Sequence, residues 1–173
     1  MYDWNIHQVS QILKESKMTA HDILERYLTD EDGRVSFPVD TVALAHDLGA
    51  EVFTVTTDIN VASFVVKDVE DSAPRIYLSS RNTEKGNRIT CAEEINHILP
   101  HLNSDVEKYG YVTEKQFTSG EMSDFAAELI MPGFAVRKCW AKGYSTKKIA
   151  KIFGVGEIAM ETRIRNLGLF GLS

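Results

Sequence analysis

Residues 88 to 97 read Arg-Ile-Thr-Cys-Ala-Glu-Glu-Ile-Asn-His, and this stretch decides the fold. Its apolar side chains recur at helical spacing, and the helix they predict begins near Thr83 and ends at Pro100, which lacks the N–H needed to continue. One stripe of this helix would carry Ile89, Ala92, Ile95 and Leu99. The stripe predicts that one side of the helix packs into a core.

The same helix carries the residues that could perform chemistry. Glu93 and His97 are four residues apart, so their side chains project from one face at the spacing by which H-E-x-x-H holds a metal. Glu94 stands where a general base would act on a water. Three groups from one turn cannot close a tetrahedral site that also keeps a water, so a further ligand must come from elsewhere, and Glu121 is the candidate. Taken alone, E-E-x-x-H is a weak signal, and a solvated acidic helix face explains it better than a metal site does.

The segments before this helix predict helices and then strands. Two short helices are expected at residues 6–14 and 19–28, and a third begins at Pro38 and ends at Gly49. The third helix is expected to bury Val42, Ala45 and Leu48. Three β-rich runs follow at residues 51–56, 62–69 and 75–79, which predicts a small antiparallel three-stranded sheet.

The segments after it predict a polar loop and more helices. The loop runs over residues 103–120, and the next helix over residues 121–131, starting at Glu121. Ser145 is expected to cap a helix that ends at Phe153, and a turn at residues 154–156 leads to a last helix at 157–166, as in helix-turn-helix units. The predicted organisation is an N-terminal helical segment (1–35), a central domain (36–135) and a helix-turn-helix-like unit (136–173) packed on the central domain.

Two stretches carry a resemblance to a known family. Residues 88–97 resemble the segment R-F-T-L-A-H-E-L-G-H of the ImmA/IrrE metallopeptidase-like family, and residues 121–132 resemble its E-A-N-x-F-A-A-x-L-L-M-P. The likeness extends over about residues 36 to 170 in the same order. It implies an α+β fold of the zincin type, with the small sheet packed on the active-site helix and helix-turn-helix-like helices at the C-terminal end.

The resemblance also implies roles for individual residues. His97 and Glu121 correspond to metal ligands and Glu94 to the catalytic base, whereas Glu93 replaces the first histidine ligand and Asn96 replaces a glycine. The resemblance makes zinc the first expectation, since a carboxylate can also bind zinc. Manganese is the second, because a carboxylate suits this harder ion even better. The altered ligand set is also compatible with a member that holds no metal.

The expected function follows from the same resemblance. Active relatives are metallo-endopeptidases that cleave helix-turn-helix repressors of prophage, mobile-element or stress genes, so a repressor or an antitoxin-like protein is the expected partner. The alternative is a catalytically inactive member that acts as a protein-binding or toxin-antitoxin-type regulatory module.

Charge and composition restrict the location and the partners. The two cysteines among 173 residues have no C-x-x-C spacing, and no signal peptide or membrane span is recognisable, which predicts a cytoplasmic protein. The chain has 19 basic and 25 acidic residues. Residues 137–165 hold eight basic and two acidic residues, which leaves 11 and 23 elsewhere, so a segment of net charge +6 joins a body of −12. We expect this basic segment to pack on the body with a solvated face, and not to bind DNA directly.

Overall fold

The computed structural model describes residues 18–56, 61–67, 73–101, 109–113 and 122–170. The helix predicted at residues 6–14 lies outside these ranges. Within them, no helix is both long enough and apolar enough to pass through a membrane.

Seven helices and four strands make up the described chain, and the α+β class is confirmed. Helix α1 (Ala20–Ile23) continues as a π-helical turn over Leu24–Leu28. The other helices are α2 (Thr41–Asp47), α3 (Glu84–Ile98), α4 (Asp124–Ile130), α5 (Gly133–Ala141), α6 (Thr146–Phe153) and α7 (Glu157–Asn166). A 3₁₀ turn, Leu99–His101, extends α3. The strands are β1 (Glu51–Val55), β2 (Ser63–Lys67), β3 (Arg75–Ser79) and β4 (Tyr109–Thr113).

The sheet differs from the predicted antiparallel three-stranded sheet. It has four strands in the order β1-β3-β2-β4, and β1 pairs parallel with β3 while β2 is antiparallel to both β3 and β4. The error arose because alternation along a strand shows which residues face the core but not which strands are neighbours. Strand β4 lies inside the stretch predicted to be a polar loop, where Gly110 and the flanking charged residues concealed the β-forming tyrosines and valine.

Helix α2 buries a different stripe from the predicted one. The Asp40 carboxylate accepts hydrogen bonds from the N–H groups of Val42 and Ala43, so the helix begins at Thr41 and not at Pro38. The inward residues are Thr41, Leu44, Ala45 and Leu48. The prediction holds for Ala45 and Leu48 but is wrong for Val42, which is 37% exposed.

Helix α3 occupies the centre of the molecule and packs against β2, β3, α2 and α4. Thr83 caps its first turn by accepting a hydrogen bond from the Gly86 N–H. Its middle turns are buried on every side, from Ile89 to Ile95. Any polar side chain on those turns must therefore find its partners inside the protein.

Helices α6 and α7 form the predicted pair at the C-terminal end. Ser145 caps α6, and Gly154 ends it in the left-handed conformation with φ +63°.

Two arginines attach this helix pair to the rest of the chain. Arg88 donates to the carbonyl oxygens of Val39 and Gly154, and the buried Arg163 donates to the Met131 carbonyl oxygen and to the Glu128 carboxylate. These contacts indicate that Arg163 serves to pack α7 on the body, because a guanidinium that donates to a buried carbonyl oxygen and a carboxylate is not available to bind a phosphate.

Candidate metal centre

Glu93, Glu94 and His97 lie on the last turns of α3, as the spacing predicted. Glu93 is 4% exposed and Glu94 is fully buried, while His97 is half-buried. The reading of these carboxylates as a solvated acidic face is therefore wrong. Buried carboxylates are stable only where hydrogen bonds or charges compensate for the lost water.

Glu93 is held by the beginning of α4. The backbone N–H of Ser123 donates to Glu93 Oε1 at 2.6 Å. Ser123 is the N-cap of α4, and its own side chain accepts from the Ala126 N–H. Helix α4 thus begins at Asp124, three residues after the predicted start at Glu121, because the serine side chain caps the first turn. The Glu93 contact joins the middle of α3 to the residues that follow Glu121.

Glu94 is held by the sheet. The hydroxyl group of Ser63, at the first position of β2, donates to Glu94 Oε1. Ser63 is itself only 1% exposed, so the pair is shielded from bulk water. This hydrogen bond fixes the orientation of the Glu94 carboxylate, because it holds one of the two oxygens inside the core.

Asn96, which stands where the family has glycine, is half-buried beside these carboxylates in the chain. Its Oδ1 atom is shielded from solvent, and no described residue donates a hydrogen bond to it. The side chain therefore occupies space that a glycine would leave open.

Cys91 lies one turn before Glu94 and does not contribute a reactive group. Burial raises the pKa of its thiol to about 12, and a hydrogen bond with the Thr41 side chain only partly offsets this. The thiol also donates a hydrogen bond to the Thr41 carbonyl oxygen. Thiolates are the metal-binding form of cysteine, so Cys91 stays a buried thiol.

The metal ligands predicted from the sequence are only partly placed. Glu93 and His97 offer a carboxylate and an imidazole one helical turn apart, and this donor chemistry fits a divalent ion. Glu121, the remote ligand, lies outside the described residues. In the described part of the chain, no three His, Cys, Asp or Glu side chains come together in a way that could hold a metal. A third protein ligand, for which the sequence predicts Glu121, would have to come from outside the described residues.

Sequence reasoning missed the two serines that hold the carboxylates. Ser123 carried a usable signal, since a serine just before an apolar helix is a typical N-cap. Ser63 carried none, because a small polar residue at the start of a strand does not indicate which helix residue lies above it.

A known protein family matches the part of the chain that contains these residues. The model of the family Peptidase_M78, described as an IrrE N-terminal-like domain, matches residues 45–165, which is more than half of the 173 residues. The chain belongs to the Peptidase_M78 family. None of the curated proteins compared with it gives a match.

Membership of Peptidase_M78 makes the chain metallopeptidase-like. The family is typically metal-dependent, and the matched range contains all of α3 and α4. The buried Glu93-Glu94 pair thus lies within the family's domain and not on an added segment.

Proposed function

We propose that this Peptidase_M78 protein is a metal-dependent regulator that acts on a helix-turn-helix repressor or an antitoxin-like protein. The hydrogen bond from the Ser123 N–H to Glu93 carries this proposal, because it attaches the start of α4 to the helix that bears His97. Glu121 precedes Ser123 by two residues, which supports its assignment as the third ligand. A carboxylate has two oxygens, so a hydrogen bond to Oε1 is compatible with ligation by the other oxygen, and such bonds commonly orient metal ligands.

The side chains of the proposed site have two roles, binding the metal ion and transferring protons. Glu93, His97 and Glu121 would hold the ion, which when bound would polarise the scissile carbonyl and make an attacking water more acidic. Glu94 would accept the proton of that water and pass it to the leaving amine. Ser63 keeps the Glu94 carboxylate in one orientation.

The sheet offers a place for an extended substrate. Among the described strands, β4 forms the edge next to β2, and β2 carries Ser63, the partner of Glu94. A peptide that added to this edge as a further strand would have its backbone hydrogen bonds satisfied and would run beside the site. We therefore assign substrate binding to the β4 edge, not to β1 at the opposite side of the sheet.

A non-catalytic role is the second candidate, and the burial of Glu94 favours it. A general base must reach the water that it deprotonates, yet Glu94 has no solvent exposure and already accepts a hydrogen bond from Ser63. In this case the chain would bind its partner protein without cutting it.

A cleavage assay with a candidate repressor distinguishes the catalytic role from the non-catalytic one. Glu94→Gln is expected to abolish cleavage, because an amide does not accept the proton. Glu93→His with Asn96→Gly is expected to increase cleavage, because a neutral imidazole leaves more of the ion's charge to act on water. Glu84→Gln, at an exposed position of the same helix, is the matched control and should cut like the wild type. If none of these proteins cuts while all retain the repressor in a complex, the second candidate is correct.

A further inference from the structure

Every charged residue along helices α5 and α6 is basic. Residues 129–156 contain six basic residues and no acidic one, so the remaining chain holds 13 basic and 25 acidic residues, a net charge of −12. We define the basic face as Arg137, Lys138, Lys142, Lys147, Lys148 and Lys151. All six side chains are exposed.

Five of these residues lie on the outward sides of α5 and α6, and Lys142 is the C-cap of α5. On α5, Phe134, Arg137 and Lys138 follow the i, i+3, i+4 spacing of one face, and the opposite face buries Ala135 and Val136. On α6, which packs against α5, the outward stripe holds the three lysines, while Ile149, Ala150 and Phe153 point inward.

Aromatic rings interrupt the charge. Phe134 is 58% exposed at the end of the α5 stripe. The Lys148 ammonium lies 3.5 Å from the centroid of the Tyr144 ring, a cation–π contact that orders this lysine. The basic face thus offers charge and an apolar contact together.

The face is fixed to the body of the protein. Arg88 donates to the Gly154 carbonyl oxygen at the end of α6, and Arg163 joins α7 to Glu128 and to the Met131 carbonyl oxygen. A partner would therefore meet preorganised charges, which lowers the entropy lost on binding.

We propose that the basic face is a docking surface for an acidic segment of a partner protein, one that includes a large apolar side chain to contact Phe134. An acidic segment is the complementary partner, because residues 129–156 hold six basic residues and no acidic residue that would repel its carboxylates. This docking does not depend on a bound metal or on peptide cleavage.

Duplex DNA fits the surface less well than an acidic peptide. In a helix-turn-helix unit the N-terminal residues of the second helix read the bases, and here those residues are the exposed Glu157 and Ile158. A long polyanion would also have to leave the basic face across a body with a net charge of −12, whereas a short segment would not.

The test uses a fluorescein-labelled peptide of Asp and Glu with one central Leu, titrated with the full chain and followed by anisotropy. We expect saturable binding that weakens as salt is raised. We expect affinity to fall about tenfold or more in a first triple variant, Lys147→Glu/Lys148→Glu/Lys151→Glu. A second triple variant on another part of the face, Arg137→Glu/Lys138→Glu/Lys142→Glu, should lose a similar amount. Arg26→Glu/Arg81→Glu/Lys85→Glu makes the same change in net charge at exposed positions outside the face and should have a smaller effect.

Phe134 supplies a readout that a merely solvated basic surface would not give. Phe134→Ala should weaken binding of the Leu peptide but not of the same peptide with Ser in place of Leu. The proposal is overturned if the control triple variant loses as much affinity as the other two, or if the peptide does not bind at low salt. It is also overturned if a DNA duplex of equal charge binds more tightly than the peptide.

Discussion

Glu93 and Glu94 are adjacent in the chain, yet their side chains are stabilised by donors from different elements. Glu93 accepts from the Ser123 N–H at the start of α4, and Glu94 accepts from the Ser63 hydroxyl group on β2. Each buried carboxylate thereby accepts a hydrogen bond that offsets part of the cost of its lost hydration. The two residues link the sheet, the central helix and α4.

Ser63→Ala tests the contribution of one such donor. Glu94 would lose a hydrogen bond inside the core, so we expect a loss of about 1 to 3 kcal/mol in the free energy of unfolding. Urea denaturation followed by circular dichroism measures it. Ser80→Ala removes an exposed serine that hydrogen-bonds Thr56 and should have little effect. Equal midpoints for Ser63→Ala and the wild type would mean that the Ser63 contact does not stabilise the buried carboxylate.

At the scale of elements, the turn between α6 and α7 is tightly constrained by its surroundings. Gly154 has φ +63°, and a Cβ atom there would lie 2.6 Å from Arg88 Nη1 and 2.8 Å from Pro38 Cβ. Gly143, between α5 and α6, has φ +71° with nothing within 4 Å of the same position. The two glycines share a backbone conformation and differ in what surrounds them.

This pair of glycines gives a matched comparison. Gly143→Ala should lower the free energy of unfolding by about 1 kcal/mol, from backbone conformation alone. Gly154→Ala should lower it by about 2 to 4 kcal/mol, because overpacking against Arg88 and Pro38 adds about 1 to 3 kcal/mol. Thermal denaturation of both variants decides the point. Equal losses would show that the C-terminal pair does not pack tightly on the body.

The elements also show what the sequence reveals and what it does not. Helix α3 and the pair α6 and α7 were predictable, because helical periodicity, Pro100 and the caps at Ser145 and Gly154 are local signals. The parallel pairing of β1 with β3 and the existence of β4 were not, because strand order depends on contacts between distant segments. The same contrast between local signals and distant contacts applies to the candidate site. The spacing of Glu93, Glu94 and His97 was visible, but their burial and their serine partners depend on β2 and α4.

At the scale of the whole molecule, charge divides the protein into two regions. The basic face on α5 and α6 meets a body with a large excess of carboxylates, two of them buried on α3. These regions suggest separate tasks, with recognition of an acidic segment by the basic face and metal-dependent chemistry at α3. The prediction that the C-terminal unit does not hold DNA belongs to this scale and is decided by the duplex arm of the docking experiment.

The central claim is that Glu93, His97 and Glu121 form a metal site in spite of the altered motif. Protein purified without chelator, reconstituted with zinc or manganese and freed of unbound ion, should be measured for metal content by mass spectrometry. His97→Ala and Glu121→Ala each remove one proposed ligand, and Glu84→Ala removes an exposed carboxylate of the same helix. Circular dichroism of each protein establishes that the fold is intact.

We expect about one ion per chain for the wild type and for Glu84→Ala, and a clear loss for His97→Ala and Glu121→Ala. A content below about a tenth of an ion per chain at saturating metal, in a folded wild type, would show that these residues do not form a metal site.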